Sequence, residues 1–304
     1  MNEINAIEIK NLTKNFGEKQ AVAGLDMVVP KGAIYGFIGE NGSGKSTTEK
    51  MICGLIHPSS GEIKLFGKDY TDADVRSKIG VLIEAPGCFP SMTVWNNLKI
   101  QASNLGIKNA DDEIRRVLKR VRMEGAASNK YKNCSLGMKQ RIGIAMALMG
   151  KPELLVLDEP INGLDADGMR IMREVLTDLT KNHGCTVLIS SHILGELEKI
   201  ATHYGIIRGG KMVVQMTAEK LENDCPIFVA LKAKNMEKAK AVLNKKYQRV
   251  ETENETLRVY DADSAEEVVE FLYRSGIVVT EIETDKISLE EYYINLMNNE
   301  KGVK

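Results

Sequence analysis

Eight residues, Gly39-Glu40-Asn41-Gly42-Ser43-Gly44-Lys45-Ser46, fit G-x-x-x-x-G-K-[ST], a spacing suited to holding a phosphate chain. Glycines let the backbone fold round an anion, so that successive N–H groups and the N-terminus of a following helix face it. Lys45 would then reach the β- and γ-phosphate oxygens, and the Ser46 hydroxyl would bind Mg²⁺. The expected nucleotide contacts are Gly39, Asn41, Gly42, Ser43, Gly44, Lys45, Ser46 and Thr47. A second group, Asp158-Glu159, follows the apolar run Leu154-Leu155-Val156-Leu157. Asp158 is placed to hold Mg²⁺, directly or through water, and Glu159 to act as general base on an attacking water. An apolar run ending in two acids is weak on its own, but paired with the phosphate loop it favours nucleotide hydrolysis.

These groups need strands that end where they begin. Ala33 to Ile38 is a compact apolar run leading into the loop, and Met51, Ile52 and Leu55 suit one face of a helix behind it. Leu154–Leu157 and Thr186–Ile189 are continuous apolar runs of strand length, as parallel strands covered on both faces require. Such sheets place ligands beyond the carboxyl ends of their strands. Polar–apolar alternation before residue 35, punctuated by Phe16-Gly17-Glu18 and Pro30-Lys31-Gly32, predicts several short β-strands. Between about Thr93 and Leu148 the period becomes helical, most clearly at Ile114, Val117, Leu118 and Val121.

After Met216 a new pattern starts: strand Ile227–Leu231, helix Met236–Lys246, strands near Gln248–Glu251 and Thr256–Tyr260, helix Ala265–Ser275, strand Ile277–Ile282, helix Ser288–Met297. The order β-α-β-β-α-β predicts a ferredoxin-like α+β unit with a tail helix. The expected fold class is therefore α/β, with domains at 4–218 (helical part about 88–150) and 219–304.

The 304 residues suit about two domains, and 41 Lys+Arg against 42 Asp+Glu give a net charge of -1, so no overall field draws the chain to nucleic acid or acidic lipid. Five cysteines (Cys53, Cys88, Cys134, Cys185, Cys225), odd in number and without a C-x-x-C pair, argue against a disulfide framework or a zinc site and for a reducing cytoplasm. The start Met1-Asn2-Glu3-Ile4 lacks a secretory leader pattern, and no run of 18 apolar residues occurs.

Over about residues 4–216 the sequence resembles the ATP-binding cassette ATPase family. Cys134-Ser135-Leu136-Gly137-Met138-Lys139-Gln140-Arg141 corresponds to its signature motif, Asn162-Gly163-Leu164-Asp165 to the loop after the catalytic Glu, and Ser190-Ser191-His192 to the segment with the switch histidine. The resemblance implies that Phe16 stacks on adenine, although a core Phe is a fair rival, and that His192 contacts the γ-phosphate. It further implies that Ser135, Gly137 and Asp165 serve nucleotide sites shared between two ATPase subunits, so that ATP closes a dimer. Ser135 also suits the N-cap of an amphipathic helix bearing Ile142, Ala145, Met146 and Met149.

Three residues depart from the family pattern. Leu136 stands for the usual Gly, Met138 for the usual Gln, and Glu84 for a loop glutamine. Glu84 would sense Mg²⁺ and bind it more strongly than an amide; the alternative is an exposed acid before a Pro turn. The stretch Ile83–Thr93 and the Ser-Leu-Gly-Met signature resemble the bacitracin-export and lantibiotic-immunity branch, as does the C-terminal extension ending Ser288-Leu289-Glu290-Glu291-Tyr292-Tyr293. The function this implies is an ATP-hydrolysing subunit at the inner face of the cell membrane, driving export through separate polytopic permeases. Cys88, Phe89, Met92 and Trp95 then form a permease-docking patch or, equally, ordinary core. The competing reading is a soluble cassette ATPase acting on ribosomes or DNA.

Overall fold

The computed structural model describes residues 4–253 and 255–299; Met1–Glu3, read above for a leader, and residues 300–304 lie outside the described residues. Two compact units are present, Met1–Ala218 and Glu219–Lys304.

The first unit opens with the hairpin β1 (Ile7–Phe16) and β2 (Lys19–Val29), then β3 (Ile34–Ile38) and, after the Gly-rich loop, α1 (Lys45–Ile52). Next come β4 (Ser60–Leu65), β5 (Lys68–Asp69), the single turn α2 (Ala73–Arg76) and β6 (Ile79–Leu82). Three helices follow: α3 (Val94–Asn104), α4 (Ala110–Arg120) and α5 (Leu136–Ala147). The unit closes with β7 (Leu154–Asp158), α6 (Ala166–His183), β8 (Thr186–Ser190), α7 (Leu194–Glu198), β9 (His203–Arg208) and β10 (Lys211–Thr217).

Two sheets form, in the orders β2-β1-β4-β5 and β10-β9-β3-β8-β7-β6. In the second, β9, β3, β8, β7 and β6 run parallel and only β10 is antiparallel. Every residue of β3, β7 and β8 is buried, which explains why their sequences are continuous apolar runs without alternation. Phe37 pairs with Ser190, and Ser190 with Asp158, so the three carboxyl ends lie side by side at one edge. Leu55 departs from the sequence reading: α1 stops at Ile52, and Leu55 is exposed.

The second unit comprises most of α8 (Ala218–Asp224), β11 (Ile227–Ala233), α9 (Met236–Leu243), β12 (Val250–Glu253), β13 (Thr256–Val259), α10 (Ala265–Arg274), β14 (Val279–Lys286) and α11 (Leu289–Asn299). Its antiparallel sheet has the order β12-β13-β11-β14, in which each β-α-β pair is split by a third strand, the ferredoxin-like arrangement. Val229, Leu231, Ala239, Leu243, Val268 and Leu272 fill its core. Boundaries differ from periodicity where pairing decides them. β14 continues through Glu283 and Asp285 because β11 pairs with it as far as Lys286. α9 ends at Leu243 because Lys245 and Lys246 donate to the carbonyls of Val242 and Leu243 in a tightened last turn.

Candidate active site

The loop between β3 and α1 is shaped by glycine. Gly44 has φ +110°, and a Cβ there would lie 2.7 Å from the Ala21 carbonyl oxygen; a Cβ on Gly39 would lie 2.5 Å from that of Ile207. Gly44 caps α1 with no side-chain acceptor, so the first-turn N–H groups remain available to an anion. The Lys45 ammonium donates to the carbonyls of Gly39 at 2.6 Å and Glu40 at 3.2 Å, which fixes its stem along the loop. Ser43 is buried, and its hydroxyl makes no hydrogen bond.

A cavity of about 230 Å³ brings Asn41, Gly42, Gly44, Lys45, Ser46 and Thr47 to Asp158 and Glu159, with Lys19 and Ala21 of β2 alongside. Gly39 and Ser43 sit behind this surface rather than on it. The Ser190 hydroxyl donates to Asp158 Oδ1 at 2.7 Å and accepts the Glu159 amide at 3.2 Å, so one side chain holds both acids. Glu159 has φ +51°, a left-handed conformation uncommon outside glycine, and its Oε2 lies 2.6 Å from His192 Nδ1. The two side chains expected to serve as general base and switch histidine are therefore in contact.

Mg²⁺ fits this donor set. Ser46 and Asp158 supply one hydroxyl and one carboxylate, and no group of three His, Cys, Asp or Glu that could hold a metal exists among the described residues. A cation held by one carboxylate and one hydroxyl, with phosphates and water completing its shell, matches the habit of Mg²⁺.

Five expected contacts lie elsewhere in the first unit. Phe16 ends β1, half exposed under the Lys14 ammonium. Ser135 caps α5, accepting the Met138 amide at 3.2 Å, and is exposed; Gly137 follows in the first turn. Asp165 caps α6 through the Gly168 amide at 2.8 Å. Glu84 does not line the cavity. Its carboxylate lies 2.6 Å from Lys50 Nζ, is 69% exposed, and is held below the usual carboxylate range by that lysine.

Two contributors went unread in the sequence. In the sequence Ser190 stands out only through its neighbour His192. Glu49 is fully buried on α1, four residues after Lys45, with neither carboxylate oxygen hydrogen-bonded. Its signal was available, because position 49 falls on the helix face that also buries Lys45 and Ile52.

Comparison with known proteins accounts for this arrangement. Residues 22–162 match the ABC transporter family model. The bacitracin transport ATP-binding protein BcrA of Bacillus licheniformis is 37% identical over 299 residues, covering 96% of this chain and 97% of that protein. The chain belongs to the ABC transporter family. It is an ATP-binding and ATP-hydrolysing subunit of that family. The lantibiotic transport ATP-binding protein SrtF of Streptococcus pyogenes is 39% identical over 217 residues, 71% of this chain and 93% of that protein. Among solved structures, one described as the ATP-binding subunit of an ABC transporter superposes with TM-score 0.65 at 28% identity, covering 72% of this chain and 92% of its own. The cbiO1 cassette of Clostridium perfringens gives 0.65 at 26%, covering 73% and 92%. Among the described residues no helix is long and apolar enough to cross a membrane.

Proposed function

We propose that this ABC ATPase drives export of peptide antibiotics, bacitracin above all, as one of a pair of cassettes on separate polytopic permeases at the inner membrane face. The full-length match to bacitracin transport subunits carries this reading, since 96% coverage includes the C-terminal unit that the lantibiotic relative's 217 matched residues need not reach. The near-neutral charge and these relatives disfavour the ribosome or DNA alternative.

In this reading Lys45 exchanges the Gly39 and Glu40 carbonyls for β- and γ-phosphate oxygens, and the N–H groups of residues 41–47 surround the phosphates. Ser46 and Asp158 would hold Mg²⁺, which would supply charge neutralisation to the phosphates. Glu159 accepts the proton of the attacking water, and His192, already hydrogen-bonded to it, is oriented toward the γ-phosphate. Phe16 stacks on adenine. The N-terminus of α5, with Ser135 and Gly137, and the 162–165 loop with Asp165 complete the site of the second subunit. Phe89 and Met92 are exposed, and the buried Asn97 clamps the Phe89 backbone on both sides, which suits a patch facing a permease.

Membranes solubilised in mild detergent should yield this chain bound to polytopic membrane proteins, and cells making that complex should tolerate several-fold more bacitracin. Lys45→Ala should abolish the tolerance. Recovery with RNA or DNA instead, or tolerance indifferent to Lys45→Ala, would reject the proposal.

Glu84 enters as a reserve metal contact that must first leave Lys50. Glu84→Gln should leave stability essentially unchanged, because exposed pairs contribute little. It should raise the Mg²⁺ concentration needed for half-maximal nucleotide binding; an unchanged Mg²⁺ titration removes the role.

A further inference from the structure

The signature helix α5 touches the catalytic loop of its own subunit at three points. Gln140, buried at 9% exposure, donates through Nε2 to the backbone carbonyl of Glu159 at 3.2 Å. Leu136 lies over Gly163, where a Cβ would come within 2.4 Å of its Cδ2, and Leu164 lies over Gly137, whose Cβ would be 3.3 Å from Leu164 Cδ2.

Glu159 needs such support. Its left-handed backbone is disfavoured for a side chain of this size and persists only where neighbours over-determine it. Its amide is fixed by the Ser190 carbonyl and hydroxyl, both at 3.2 Å. Its carbonyl accepts the Asn162 amide at 3.1 Å and the Gln140 side chain. Three of these contacts come from β8 or from the loop itself; Gln140 alone brings in another helix. Rotation about this backbone sets where the carboxylate stands relative to His192.

We propose that Gln140 is a positioning residue: it holds the Glu159 backbone in its left-handed conformation and, with Leu136 seated on Gly163, makes α5 and the catalytic loop move together. The general base is then aligned when the N-terminus of α5 is engaged and misaligned when α5 shifts. The bulk of Leu136 contributes directly to this coupling, because a glycine there would leave the space over Gly163 unfilled.

The inference rests on Glu159 being the general base, and a double-mutant cycle separates the two claims. Gln140→Met keeps the length and removes the donor. We expect it to lower kcat about tenfold, as loss of one hydrogen bond to a reacting group's support predicts, with MgATP affinity within about twofold. In the Glu159→Gln background the same change should lower the residual rate less than about twofold, because the group it positions is already gone. Equal losses in both backgrounds, or a kcat within twofold of the parent, overturn the inference while leaving the general base intact. Undiminished turnover in Glu159→Gln alone would instead remove the general-base reading. Gln140→Glu provides a second variant, with native-like thermal melting as the condition for comparing rates.

Discussion

Glu159→Gln is expected to lower ATP turnover by about 10²- to 10⁴-fold, the range supplied by a positioned general base. The substitution preserves shape and can keep the 2.6 Å contact with His192, while removing the atom that accepts a proton. Asp158 and Ser46 are untouched, so nucleotide and Mg²⁺ should bind as before. Binding without hydrolysis should trap the closed pair, and purified protein with MgATP should shift from monomer to dimer by light scattering. Turnover within tenfold of the parent would mean that another group takes the proton. In this structure the candidate would be His192, and His192→Ala would then become the severe variant. If both variants retain turnover, the left-handed backbone at Glu159 has no catalytic explanation.

That the phosphate-loop residues and the Asp158-Glu159 pair would meet was legible in sequence because each part depends on local chain geometry. The loop from Gly39 to Ser46 reports a strand-to-helix turn whose spacing leaves few alternatives, and Asp158 ends, and Glu159 follows, a strand whose continuous burial is written in four apolar residues. The C-terminal order of elements was equally readable, since apolar stripes on α9 and α10 repeat at helical spacing. Partners across space were not. That Glu84 pairs with Lys50, that Gln140 reaches the Glu159 carbonyl, and that β14 extends through charged residues all depend on contacts between distant segments. The strands β9 and β10 carry no clear sequence signal for a related reason: β9 is nearly all buried and β10 almost wholly half-buried or exposed, so neither gives clean alternation.

Glu49 carries the second large effect, and here the change should stabilise. The carboxyl is completely buried, and neither oxygen has a hydrogen bond. Burial pushes its pKa well above the ordinary carboxylate range, the charge of Asp158 pushes it further, and the Lys45 ammonium pulls it back only in part. The folded chain thus holds this proton more tightly than the unfolded chain does. Its contribution is most favourable below the unfolded carboxylate value of about 4.3 and is lost as pH rises from there toward the folded pKa. Glu49→Met, similar in length and fully apolar, removes that loss. By analogy with apolar replacement of buried ionic groups, the gain should be about 1–4 kcal/mol at pH 8, shrinking toward zero near pH 4. Urea unfolding of parent and variant at both pH values gives the comparison directly. A variant less stable than the parent at pH 8 would show that the acid has a favourable role in the fold. A gain that does not change between the two pH values would assign the effect to packing and not to the proton. Since Glu49 stands behind Asp158 and not in the cavity, MgATP binding measured alongside tests whether a neutral side chain there leaves the nucleotide site undisturbed.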